Sequence, residues 1–178
     1  MKPTDTMEAL GTFTRRGKDI DVRFVRHYPR PVETVWSALT DPARLADWMG
    51  KSIFEPRLGG RVELCVDNPR PMTGSVLVWD PPKVLELAWS NEDAPNSRIR
   101  YELTPEGSGT RLIFTHINMP YASSALMLPG WHFFFARLGS LLDGARTPES
   151  ERSWRELQGV YVGHYGLDGA PLDHPSDL

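Results

Sequence analysis

One stretch of the sequence, residues 128–144, constrains the fold more than any other. Pro129 suits the first turn of a helix and Gly144 can end one, so the sequence predicts an α-helix over 129–143. Its apolar side chains recur at helical steps and form one stripe: Trp131, Phe134, Phe135, Leu138, Leu141 and Leu142. This stripe needs an apolar partner. It is explained either by ordinary core packing or by the lining of a pocket.

The region from Gly59 to Asn118 has a different period, with short alternating segments separated by turn residues. Such a pattern predicts an antiparallel meander with one packed face, which the late helix must cover. The alternation places Phe114 and His116 on the packed face and Cys65 on the opposite one. Before this region we predict a first strand over 12–28 and short helices over 32–39 and 41–50; after it we predict a loop over 119–128.

Composition excludes several classes of protein. A chain of 178 residues is enough for one domain with a full core, and its net charge of −3 gives no nucleic-acid footprint. The basic residues between Arg15 and Arg30 are interleaved with acidic ones, which predicts a solvated strand face. No apolar run is long enough to span a membrane, and no signal peptide is recognisable at the start. With Cys65 as the only cysteine, we expect no disulfide and a cytoplasmic location.

Several motifs together resemble one known family. They are Arg26–Pro42 followed by Leu45 and Trp48, Gly59-Gly60 before a strand, Val76–Pro82 before a strand ending at Trp89, and Gly109–His116 followed by Gly130-Trp131. In this order they resemble the START and birch-pollen-allergen-like (SRPBCC) superfamily, in the branch named after the activator of heat-shock-protein-90 ATPase. The resemblance implies an α+β helix-grip fold, in which a curved antiparallel sheet wraps a long C-terminal helix and two short helices follow the first strand.

The resemblance and the periodicity divide the chain into three parts. Residues 1–11 form an N-terminal arm, 12–144 the helix-grip domain, and 145–178 a C-terminal extension that the family does not usually have. The extension is predicted to contain a helix over about 148–164 and a loose tail. Trp154, Leu157 and Tyr161 recur at helical spacing in it, so we expect this helix to dock, either on the same sheet or on a second subunit in a homodimer.

Motifs for known catalytic and cofactor chemistry are missing from the sequence. It contains no glycine-rich phosphate loop, paired-cysteine zinc spacing or Gly-x-Ser-x-Gly elbow, and its histidines have no ligand spacing, so we expect no metal and no cofactor. His116 is the most informative polar residue. It is either a structural histidine satisfied within the sheet, a polar contact for a ligand, or a general base.

The leading functional hypothesis is binding of a hydrophobic small molecule, lipid- or polyketide-like, in a cavity between the sheet and helix 129–143, without catalysis. The predicted lining is Leu64, Trp89, Tyr101, Leu103, Phe114, His116, Trp131, Phe135 and Leu138. The resemblance offers two alternatives. One is a polyketide cyclase or dehydratase, which would use His116 and Tyr101; the other is a chaperone partner, which the lack of a second domain disfavours.

Overall fold

A computed structural model describes residues 10–65 and 71–168, and the structural statements below concern those residues. Three sequence expectations fall partly or wholly outside this range. The arm predicted over 1–11 is described only at residues 10 and 11, and the tail is not described from residue 169 onward. The prolines of the segment 68–71 predict a loop, of which only Pro71 is described.

Eight antiparallel strands form one sheet. The strands are β1 Thr12–Arg16, β2 Asp19–Tyr28, β3 Lys51–Phe54, β4 Arg61–Cys65, β5 Met72–Asp80, β6 Val84–Trp89, β7 Ser97–Glu106 and β8 Gly109–Pro120. Their order in the sheet is β1-β2-β8-β7-β6-β5-β4-β3. The helices are α1 Val32–Thr40, α2 Pro42–Trp48, α3 Ser124–Leu142 and α4 Trp154–Tyr165, with a 3-10 turn at Tyr121–Ser123. The predicted α+β helix-grip fold is confirmed, including the two short helices ahead of the long one.

The first strand was predicted as one unit over 12–28, and this was wrong. The structure divides it into the hairpin of β1 and β2, in which Arg16 pairs with Asp19. Gly17 has a φ of 64°, the left-handed conformation that a tight turn requires and that glycine adopts without steric cost. Strand β2 then pairs along its length with β8, which brings an early and a late part of the domain together.

The long helix begins at Ser124, so the predicted loop over 119–128 and the predicted helix start at Pro129 were both wrong. Strand β8 continues to Pro120, and the chain enters α3 through the 3-10 turn. Pro129 therefore lies inside α3 and donates no hydrogen bond to the carbonyl of Ala125. That carbonyl instead accepts from Gln158 Nε2 of α4 at 3.1 Å. A side chain from the C-terminal extension thus replaces the backbone bond that the proline removes.

Helix α4 docks on α3 within the same chain, burying Trp154, Leu157 and Tyr161. It begins later than the predicted residue 148 because Ser153 and Glu156 form a capping box, in which each side chain bonds the backbone N–H of the other residue. It ends at Gly166, whose φ of 61° closes the helix. Trp154, Leu157 and Tyr161 are buried without a second subunit, and α4 packs mainly on α3 rather than on the sheet, so the expected docking on the sheet was wrong. A homodimer stays a prediction.

The core lies between the sheet and α3, and the short helices close one end of it. Trp48 of α2 is fully buried and donates from Nε1 to the carbonyl of Ala38 at 2.9 Å, which joins α2 to α1. Asp41 caps α2 by accepting from the N–H of Ala43, as the sequence predicts. Cys65 is exposed, which confirms its predicted orientation. No helix within the described ranges combines the length and the apolar character needed to cross a membrane.

Candidate functional site

All nine residues of the predicted lining are buried in the structure. They come from strands β4, β6, β7 and β8 and from α3. Eight of them belong to one hydrophobic core, and His116 is a buried polar residue that contacts it: Leu64, Trp89, Tyr101, Leu103, Phe114, His116, Trp131, Phe135 and Leu138. The aromatic members and His116 contact one another through their rings. The three leucines complete the core around these rings.

Phe114 is at the centre of these contacts. The centroid of its ring lies 4.4 Å from the ring of Trp131, 5.0 Å from Phe135 and 5.1 Å from Tyr101. Trp131 in turn lies 5.1 Å from Trp89. These five residues, which we call the aromatic layer, join the inner face of the sheet to α3. Tilted aromatic pairs at such distances stabilise a fold beyond their burial alone.

His116 lies at one end of the aromatic layer with both ring nitrogens hydrogen-bonded. Trp131 Nε1 donates to His116 Nδ1 at 3.0 Å. Because Nδ1 is therefore the acceptor, the ring proton is on Nε2, which lies 2.8 Å from Ser97 Oγ. The Ser97 hydroxyl in turn donates a hydrogen bond to the carbonyl of Ala94 at 3.0 Å or of Trp89 at 3.1 Å.

This network favours the structural explanation of His116. Complete burial lowers the pKa of its imidazole to about 3, so the ring is neutral at physiological pH. A general base is usually oriented by a carboxylate, but in the described part of the chain the partners of His116 are a serine and a tryptophan. Burial also raises the pKa of Tyr101, so its phenol remains protonated.

Trp89 differs from Trp131, although their rings are in contact. The indole Nε1 of Trp89 is buried and has no hydrogen-bond partner within the described residues. A buried donor without an acceptor costs roughly 1–3 kcal/mol. The aromatic layer therefore contains one unused donor, and it belongs to a residue of the predicted lining.

A second polar cluster, which the sequence analysis missed, lies beside the layer. Arg26 is only partly exposed, so assigning the whole basic segment 15–30 to a solvated strand face was wrong for this residue. Its guanidinium carbon lies 5.1 Å from the ring centroid of Phe24 and 6.0 Å from that of Phe135. Val22, Phe24 and Tyr28 are buried at alternate positions of β2. Arg26 has the same parity, so this alternation indicates that it lies on the inner face.

Tyr161 and His132 complete this cluster. Tyr161 Oη accepts from the backbone N–H of Gly11 at 2.8 Å and lies 2.9 Å from His132 Nδ1. Burial, together with the positive charges of Arg26 and Arg152, lowers the pKa of His132 to about 4. Burial raises the pKa of Tyr161, so the phenol is neutral. The cluster thus combines one positive charge with neutral hydrogen-bonding groups. No group of three or more potential metal ligands occurs among residues 10–65 and 71–168.

Comparisons with known proteins relate this chain to one family. Residues 29–143 match the family described as Activator of Hsp90 ATPase homolog 1-like protein. No curated protein matches the chain in sequence. The crystal structure of CalU16 from Micromonospora echinospora is similar, with 27% identity and a TM-score of 0.72, over 88% of this chain and 96% of that one.

Two further solved structures are similar. Protein MLL2253 from Mesorhizobium loti has 30% identity and a TM-score of 0.62, over 69% of this chain and 96% of that one. DynU16, described as a protein in the dynemicin biosynthetic locus, has 25% identity and a TM-score of 0.66, over 74% of this chain and 50% of that one. The CalU16 match extends over most of the chain, beyond the length that the family match covers.

Proposed function

Because the chain belongs to the Activator of Hsp90 ATPase homolog 1-like family, whose helix-grip architecture it has, we propose that it binds a hydrophobic small molecule, lipid- or polyketide-like, between the sheet and α3. The proposed contacts are the nine buried residues of the core described above. Catalysis is not part of the proposal, since both nitrogens of His116 already have protein partners. The cytoplasm is the proposed location, because the single cysteine, Cys65, is unpaired.

The observation that carries this proposal is the unpaired Nε1–H of Trp89. A residue that served only for packing would have this donor satisfied or would lack it, as a phenylalanine does. A ligand with a carbonyl or hydroxyl oxygen would supply the acceptor. The surrounding rings would contact the apolar remainder of the ligand. DynU16 is described as a protein in the dynemicin biosynthetic locus, and this similarity supports the binding of a small molecule.

Binding requires the aromatic layer to open. The rings of Phe114 and Trp131 lie 4.4 Å apart between centroids, so a ligand would enter by displacing side chains or by shifting α3. Apolar contacts between ligand and protein would then replace those between the rings.

The first experiment asks whether an apolar molecule is bound at all. Native mass spectrometry of the purified protein should reveal a retained ligand. Isothermal titration should detect 1-naphthylacetamide, a neutral apolar probe with one carbonyl oxygen. Trp89→Phe keeps a large ring and removes only the donor, so it should weaken binding of this probe by about threefold to tenfold, the value of one net hydrogen bond. An unchanged affinity would mean that the Nε1–H of Trp89 does not bind the probe.

A second variant distinguishes a site from a packed core. Leu138 is fully buried in the middle of α3, and Leu138→Phe adds volume beside the layer. If the layer opens readily for a ligand, it should open in the same way for the new ring. Probe binding should then fall, because the ring occupies the space of the probe, while stability changes little. If the variant instead loses about 1–3 kcal/mol of stability and the parent binds no probe, the layer is core alone and the proposal fails.

A further inference from the structure

Arg26 has a buried guanidinium nitrogen that nothing in the described chain satisfies. Its Nη1 donates to the carbonyl of Val25 at 2.9 Å, whereas its Nη2 is buried without a hydrogen-bond partner. Burying a charged group is costly unless the group is paired and hydrogen-bonded. Packing alone does not account for arginine at this position, since methionine would cover the rings of Phe24 and Phe135 without that cost.

The charge of Arg26 also lacks a neighbouring carboxylate among the described residues. The arginine ion pairs of the sheet involve other strand positions, for example Arg16 with Asp21 and Arg100 with Glu86. Besides the neutral imidazole of His132, the groups close enough to interact electrostatically with the guanidinium are the phenols of Tyr28 and Tyr161. Burial raises the pKa of both phenols, so neither supplies a negative charge.

The remaining groups of the cluster are neutral and hydrogen-bonded within the protein. Tyr161 Oη accepts from the backbone N–H of Gly11 and lies 2.9 Å from His132 Nδ1. The buried N–H group of Arg26 is left without a partner, and the cluster contains no anionic acceptor for it. Such a set favours an anion, and the planar fork of arginine matches a carboxylate.

The cluster is continuous with the aromatic layer through Phe135. The ring of Phe135 lies 5.0 Å from Phe114 and 6.0 Å from the guanidinium carbon of Arg26. One molecule can therefore contact both. We infer that the ligand is an amphipathic carboxylic acid, whose acid group binds Arg26 beside His132 while its apolar part lies against the aromatic layer. This inference rests on the proposed function and specifies the class of ligand.

A matched pair of probes tests the inference. The anion 1-naphthylacetate and the neutral 1-naphthylacetamide have the same ring and nearly the same shape, so their affinities differ mainly through charge. The full chain should bind the acid at least about tenfold more tightly, because a hydrogen bond to a charged group contributes more than one between neutral groups. Isothermal titration at neutral pH measures both affinities.

Three variants locate the preference. Arg26→Met keeps an unbranched stem over the rings and should abolish the preference for the acid, while binding of the amide continues. Arg26→Lys keeps the charge without the fork and should give an intermediate preference. Arg23→Met is the matched control, because Arg23 is exposed on the same strand, and it should keep the parental preference.

The outcomes separate this inference from the proposed function. Equal binding of acid and amide by the parent overturns the inference but leaves apolar binding intact. So does a preference that survives Arg26→Met. Failure of both probes to bind the parent overturns the proposed function itself. The parental comparison needs no substitution, so it decides the inference even if the Arg26 variants fail to fold.

Discussion

His116 and Arg26 both project from the inner face of the sheet, but their polar atoms have different surroundings. The imidazole of His116 is hydrogen-bonded by Trp131 and Ser97, and every contact is made within the protein. The guanidinium of Arg26 has one nitrogen buried without a partner in the described chain. Burial alone therefore does not distinguish structure from function in this core. The distinction lies in whether the buried polar atoms are satisfied.

The surroundings of Arg26 and of His116, at the two ends of the aromatic layer, also differ in the elements that cover them. Near Arg26, helix α4 supplies Tyr161, which contacts both Gly11 and His132. At the other end, the hydrogen-bond partners of His116 are Ser97 of β7 and Trp131 of α3. The C-terminal extension thus completes only the end where a charged group is unpaired. This asymmetry can be tested one end at a time.

Removing residues 147–178 should damage the Arg26 end selectively. The deletion exposes surface that Trp154, Leu157 and Tyr161 cover, and burial of large apolar side chains is worth about 1.5–3 kcal/mol each, so a loss of about 5 kcal/mol is expected. Thermal unfolding measures the loss, and sedimentation of both proteins would reveal any dimer. Leu157→Ala is a milder version, expected to cost about 2–5 kcal/mol. Unchanged melting and sedimentation would mean that α4 adds nothing to the fold.

Apolar substitutions at the two ends should have opposite effects on stability. His116→Leu leaves the buried N–H of Trp131 without an acceptor and should lower the free energy of unfolding by about 1–3 kcal/mol. Arg26→Met removes a buried unpaired charge and should leave stability unchanged or raise it. Urea denaturation of both variants measures the difference. Similar losses in the two proteins would show that Arg26 is as structural as His116.

Acid should destabilise the protein through the histidine at each end. The pKa of His116 is lowered to about 3 and that of His132 to about 4, so the unfolded chain binds protons more readily than the folded one between about pH 6.5 and these values. Stability is then complete above about pH 6.5 and is lost as the pH falls. For His116 the loss between pH 7 and pH 5 should be about 2 kcal/mol.

Urea denaturation at both pH values checks this dependence. His116→Gln should remove its share of the loss. Ile99→Val, opposite His116 on β7, is the control: it should cost about 0.5–1.5 kcal/mol at both pH values and leave the pH dependence intact. If His116→Gln keeps the parental pH dependence, the imidazole is not the group that acid protonates.

The smallest effect should come from the hydroxyl that completes the His116 network. Ser97→Ala removes the partner of His116 Nε2, while the contact of Nδ1 with Trp131 remains. A loss of about 1 kcal/mol is expected, the net value of one hydrogen bond. A loss several times larger would mean that Ser97 organises the loop before β7 as well, through the carbonyl of Ala94.

Alternation along the strands was sufficient to predict most of this core. It placed Phe114 and His116 on one face of β8 and opposite the helical stripe containing Trp131 and Phe135, and the structure brings these residues into contact. The same alternation along β2 assigns Arg26 to the inner face, but its charge led us to place it in water. The alternation of the neighbouring residues is therefore a better guide to the partial burial of Arg26 than its charge.

Other features depend on contacts between distant parts of the sequence. Pro129 suggests a helix start, because its missing N–H has no consequence in a first turn. In the structure it lies inside α3, where Gln158 of α4 satisfies the carbonyl of Ala125. Local sequence does not reveal this compensation. Hydrogen-bond partners such as Trp131 for His116 are likewise set by tertiary packing, so satisfied and unsatisfied buried groups look alike in the sequence.

The contact of α4 with Gly11 also affects how the protein can fold during synthesis. Tyr161 and Tyr165 hydrogen-bond the backbone of Gly11 across 150 and 154 residues of sequence. The ribosome releases the β1–β2 hairpin first, yet β2 must wait for β8, and Gly11 must wait for α4. Contacts of such long range form slowly. The nascent chain therefore exposes the inner face of its first hairpin until β8 and α3 have emerged, and it fixes Gly11 only after α4 has followed.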